Sequence, residues 1–101
     1  MICPDLKTGL VFSNSNNKGE KFIEAEIISF DEKTLTVKVL FCENEYFSRY
    51  LDVGKTYTGT LVNNWDDMKV WDINPKQMKR SVSQVLIQWQ SASGFGWDLD
   101  S

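Results

Sequence analysis

The chain has no histidine among its 101 residues, so any chemistry falls to carboxylates, two thiols and the aromatic rings beside them. Histidine is the usual general base at neutral pH and the commonest metal ligand. Its absence removes Ser-His-Asp, Cys-His and His-metal arrangements. Three of the four tryptophans are followed directly by aspartate, at Trp65-Asp66, Trp71-Asp72 and Trp97-Asp98. A large amphipathic ring beside a carboxylate suits either the edge of a core or an acidic surface that anchors a basic partner. Asp66, Asp67, Asp72, Asp98 and Asp100 could make a hard-cation site or an acid/base pair if folding gathered them. The pairs Asp66-Asp67 and Asp98-Leu99-Asp100 lack the spaced ligands of a calcium loop, so solvated turn and strand-end carboxylates are expected and no metal. Cys3 and Cys42 have no CxxC spacing for zinc or redox work. Gly54-Lys55-Thr56 and Gly94-Phe95-Gly96 lack the full glycine spacing of a phosphate loop, and no cofactor is expected.

Charge narrows the class of partner. The net charge is −3, and residues 41–73 hold six acids against three bases, whereas residues 74–90 hold Lys76, Lys79 and Arg80 with no acid. A general phosphate-binding surface needs clustered Lys and Arg, so nucleic acid is the less favoured partner. An acidic middle followed by a short basic stretch can orient a protein partner instead. Hydrophobic residues at 42% and charged residues at 25% match a globular domain, and no apolar run is long enough to span a bilayer. The length suits a single domain over residues 1–101. The start, Met1-Ile2-Cys3-Pro4-Asp5-Leu6, lacks a basic segment followed by an apolar one, so a cytoplasmic location with reduced thiols is expected.

The elements that must position these residues are mostly strands. A short strand at Leu10-Val11-Phe12 precedes a turn-rich run from Ser13 to Gly19. Phe22 to Phe30 alternates with Glu24 and Glu26 on the wetter face, and Thr34 to Phe41 alternates with Leu35, Val37 and Val39 on the other, joined by Asp31-Glu32-Lys33. The two form a hairpin. Tyr46 to Leu51 reads equally as a short strand or an irregular turn. Thr56 to Val62 is β-branched and aromatic, with Gly59 marking a bulge or a close backbone approach, and Met68 to Ile73 returns antiparallel after the turn at Asn63–Asp67. Asn74-Pro75-Lys76-Gln77 has the form of a capping box, and Met78, Val82, Val85, Leu86 and Trp89 fall on one helical face. The spacing predicts a helix over about 75–90, with a strand over Val82 to Gln90 as the rival because Val85, Ile87 and Trp89 also alternate. The tail from Ser91 can dock as a last short strand. The expected architecture is mainly β or α+β: five to six mostly antiparallel strands, in a sheet or small curled barrel, with one C-terminal helix.

Val53-Gly54-Lys55-Thr56-Tyr57-Thr58-Gly59-Thr60-Leu61 is similar to the opening strand of OB-fold and SH3-like nucleic-acid modules. The resemblance covers these nine residues, and the glycine-rich follow-on of those modules is missing after Asn63. It implies a small barrel, and fold does not fix function. Phe22, Phe30, Phe41 and Trp89 sit at periodic apolar positions expected in the core, while Trp65, Trp71, Trp97, Tyr46 and Tyr50 divide evenly between core and interface. The expected function is a non-enzymatic protein-binding inhibitor, such as a toxin-neutralising immunity protein, that masks a basic partner through Trp65, Asp66, Asp67, Trp71 and Asp72. The alternative is an OB-like module for single-stranded nucleic acid or oligosaccharide, with Tyr57, Trp71 and Trp89 as stacking platforms.

Overall fold

In the computed structural model, which describes residues 6–15, 18–80, 82–91 and 94–100, seven strands follow one another as a single antiparallel meander. They are β1 (Val11–Ser15), β2 (Lys21–Phe30), β3 (Thr34–Cys42), β4 (Thr56–Asn64), β5 (Met68–Ile73), β6 (Gln84–Gln90) and β7 (Gly94–Asp100). One short helix, α1 (Glu45–Ser48), interrupts the β3–β4 connection. The sheet curls until β7 returns beside β1, giving a nearly closed barrel.

Alternation explains why these segments fill a barrel. Ile23, Ala25 and Ile27 of β2, Leu35, Val37 and Val39 of β3, and Val85, Ile87 and Trp89 of β6 all point inward and are buried. Their neighbours in sequence face water or the barrel rim. Because side chains alternate with period two, a slip of one residue in any of these strands would turn its apolar set outward. The hairpin between β2 and β3 closes as expected, with the Asp31 carboxylate accepting from the backbone N–H groups of Lys33 and Thr34 at 2.8 Å each. Those bonds hold the Asp31 carboxyl below its ordinary range.

The predicted helix over 75–90 is replaced by a 3-10 turn at Pro75–Gln77 and by strand β6. The Asn74 cap forms, its side chain accepting from Lys76 N–H at 3.0 Å, yet the helix does not propagate. Ile87 and Trp89 gain a backbone ladder on both sides, from β5 and from β7, and Val85 gains one from β7, which a helix at this position would forgo. Gln77 is used differently as well. Its side-chain amide donates to Thr58 C=O and accepts from Thr58 N–H, both at 3.0 Å, taking the place of the next β5 residue beyond Ile73. Tyr46 to Leu51 is neither strand nor irregular turn throughout, since Asn44 caps α1 by accepting from Tyr46 and Phe47 N–H. Phe30, expected in the core, stands 41% exposed at the end of β2.

Gly59 is a close approach and needs no unusual dihedral. A Cβ there would lie 2.9 Å from Ile73 Cδ1 and 3.1 Å from Trp71 Cβ, on the strand paired with it. Gly59→Ala is expected to cost about 1–2 kcal/mol by overpacking, seen as a fall in Tm of about 4–10 °C. An unchanged Tm would mean that β5 sits farther away than this.

Candidate functional site

The five residues singled out by type do not form one surface. Trp65, Asp66 and Asp67 make the tip of the β4–β5 hairpin, all exposed, with the Trp65 ring 56% in water. Two backbone bonds hold the tip: Trp65 N–H to Met68 C=O at 2.8 Å, and Ser91 N–H to Asp67 C=O at 3.0 Å. Lys69 Nζ also bonds Asn64 Oδ1 across the hairpin. The tip is therefore tied both to itself and to the next hairpin.

Trp71 is the correction. It is 3% exposed and faces the barrel interior, its ring stacked on Phe95 at 6.1 Å between centroids. Trp71 and Ile73 share the inward face, as the register of Trp71 with Ile87 and of Ile73 with Gly59 shows. Asp72 points the other way, partly buried on the outer face opposite Thr60 and Leu86. Five residues of strand place it about 16 Å from Asp67, too far to share a small contact patch. Trp97 is also buried, and Tyr57 and Trp89 are wholly so. The three rings proposed as stacking platforms for a nucleic acid or sugar are thus all core residues, because each lies at an inward position of its strand. The Tyr57 hydroxyl is in use, accepting from Asp52 N–H at 2.7 Å, and burial pushes its phenol up.

A second region was not legible as a site in the sequence. Where β1 meets β7, the Asn14 side-chain amide donates to Trp97 C=O at 2.9 Å and accepts from Trp97 N–H at 3.1 Å. It stands in for a strand residue, as Gln77 does on β4. An open groove of about 450 Å³ runs along this seam, walled by Ser13 and Ser15 on one side and Gln88 and Gln90 on the other, over the backbone of Gly94 and Gly96. Toward α1 it continues into two further hollows, one bordered by Phe22, Asn44, Tyr46 and Leu99 and one by Glu20, Glu43 and Glu45. Asp98 lines the seam and accepts from Gln88 Nε2 at 2.8 Å. The basic residue bordering these hollows, Lys21, is paired with Glu24 at 2.7 Å. The Tyr46 ring is 61% exposed, with the Arg49 guanidinium 5.7 Å from its centroid. From sequence Tyr46 divides evenly between core and interface, and Asn14 falls in a turn-rich run. The alternation of small and large residues in Gly94-Phe95-Gly96-Trp97 was the available sign of a strand with a bare outer face.

In the basic stretch of residues 74–90, Lys79 lies at the α1 end, its N–H bonding Tyr50 C=O, with Lys55 of the preceding turn nearby. Lys79 Nζ bonds Asp52 Oδ1 at 3.0 Å and Lys55 Nζ bonds Gln77 C=O at 3.0 Å, so both cations serve the fold. Cys42 is a free thiol, half-buried, and burial pushes it up. Cys3 and the Asp100 side chain lie outside the described residues. Among the described residues no group of three or more potential ligands gathers to hold a metal, and no helix is long and apolar enough to cross a membrane. Comparison with protein-family models, with curated proteins and with solved structures returned no match, so the geometry alone speaks for function.

Proposed function

We propose that the chain is a non-enzymatic binding protein that masks a basic surface of another protein, in the manner of a toxin-neutralising immunity protein. The observation that carries this reading is the hairpin tip: an exposed Trp65 flanked by the exposed Asp66 and Asp67, on a turn held by backbone bonds. A tryptophan in water exposes a large apolar face, and pressed into a partner pocket it supplies the desolvated anchor typical of interface hot spots. The two carboxylates beside it steer the encounter and select a basic partner. Holding the tip rigid reduces the ordering cost of binding. Trp71 and Asp72 drop out of the contact set, the first as core and the second as a distant outer-face residue. A cytoplasmic location fits this reading, with Cys42 kept as a thiol.

The test is affinity capture from the native host with wild-type chain and Trp65→Ala in parallel. The expected result is a basic protein retained by the wild type, with Trp65→Ala weakening it by at least about 2 kcal/mol, roughly 30-fold in Kd. Equal retention by both would remove the tip from the interface.

A further inference from the structure

Seven strands paired antiparallel throughout leave the first and last pointing the same way. β1 and β7 therefore cannot close the barrel with the antiparallel ladder used everywhere else, and among the described residues no strand pairing joins them. The seam's hydrogen bonds come from one side chain, Asn14, occupying both backbone groups of Trp97, while beneath it the Phe12 ring of β1 packs on Phe95 at 5.5 Å and on Trp97 at 6.3 Å. By the alternation of a strand, the N–H and C=O of Phe95 and Leu99 face the same edge as those of Trp97. An edge of this kind is a template for another strand.

We infer that the β1–β7 seam is a strand-addition site, at which an extended, lysine- or arginine-bearing segment of a partner protein pairs with the edge of β7 after displacing the Asn14 amide. An eighth strand entering there runs antiparallel to both β1 and β7, so it completes the sheet without a parallel pair. Three features suit that occupant. Gly94 has open space where a Cβ would lie, and the space beside Gly96 is filled by the Asn14 amide, 2.8 Å from where a Cβ would stand, so displacing Asn14 leaves this stretch of β7 bare for an approaching backbone. Asp98 beside the seam, with Glu20, Glu43 and Glu45 where the groove opens toward α1, matches basic side chains on the incoming strand. The Asn14 bonds can be traded for backbone bonds of the same kind, so the latch opens without leaving Trp97 unpaired. The inference concerns a surface distinct from the Trp65 tip, and either can fail while the other stands.

The probe is a fluorescent peptide of alternating lysine and valine, about seven residues long to match β7, read by anisotropy and by amide hydrogen exchange. Binding is expected to slow exchange at the amides of Phe95 and Leu99. N-methylating alternate peptide residues keeps the charge but removes one edge of donors, and methylation of the β7-facing set is expected to weaken binding at least about tenfold. Asn14→Ala removes the competing latch and is expected to tighten binding by up to about tenfold, since less of the population is held closed. Should that variant fail to fold, Asp98→Lys, an exposed change, is expected to weaken the wild-type interaction severalfold at low salt. Equal binding by the unmethylated peptide and the one methylated on its β7-facing set, with unchanged exchange at Phe95 and Leu99, overturns the inference in favour of charge attraction alone. It is equally overturned if the protein without peptide dimerises in light scattering with those amides already protected, because a second copy would then be the occupant.

Discussion

Trp89→Ala is expected to be the most destabilising single change in the barrel, at about 3–5 kcal/mol, and to bring the protein near its unfolding threshold. Trp89 is the largest wholly buried side chain, at an inward position near the end of β6 between Lys69 of β5 and Phe95 of β7. Truncation leaves a cavity between strands that are fixed by ladders on both sides and so cannot collapse into it. The indole N–H of Trp89 has no hydrogen-bond partner among the described residues. Trp89→Phe therefore gives up volume without giving up a bond, and about 1–2 kcal/mol is expected for it. Urea unfolding of the two variants checks the difference. If Phe were as costly as Ala, the N–H would have a partner, such as a buried water, that holds the ring in place.

Asn14→Asp is the second. The amide both donates and accepts at Trp97, whereas a carboxylate can only accept, so one of its oxygens would face the Trp97 carbonyl as acceptor against acceptor. The expected loss is about 2–3 kcal/mol near neutral pH, against about 1–2 kcal/mol for Asn14→Ala, which removes the bonds without adding repulsion. The sign with pH separates the two causes. A protonated carboxyl donates as the amide did, so the introduced group has its folded-state pKa raised. Its penalty is full above that value and shrinks as pH falls through it. Denaturant unfolding across the acid range should show the Asp variant drawing level with or passing the Ala variant. A constant gap would mean that the seam is held by the rings of Phe12, Phe95 and Trp97 beneath it rather than by Asn14.

The strands most visible in the sequence were those whose alternation was unopposed. Phe22 to Phe30 and Thr34 to Phe41 carry period two with a short polar turn between them, and both fold as expected. Residues 75–90 failed because a sound capping signal at Asn74 sat beside an apolar set compatible with either period. The choice was made by strands far away in sequence, β5 and β7, which offer ladders that no local window contains. The Trp-Asp pairs failed in a related way. Adjacent residues on a strand point to opposite faces, so a Trp-Asp pair within β5 or β7 turns one member inward and the other outward. Trp71 and Trp97 are the buried members of such pairs. Only Trp65-Asp66, at a turn, escapes alternation and presents both. The seam was invisible for another reason: it depends on the parity of the strand count and on one amide reaching across 83 residues of sequence.

Whether the acidic tip recognises a basic protein is tested most directly by association kinetics of the captured partner with wild type and with the double variant Asp66→Lys, Asp67→Lys, measured across ionic strength. Both positions are exposed and off the strands, so the fold is expected to survive. The prediction is an association rate lowered about tenfold or more in low salt, with the gap narrowing as salt is raised past roughly 0.15 M. Equal rates at low salt would contradict it.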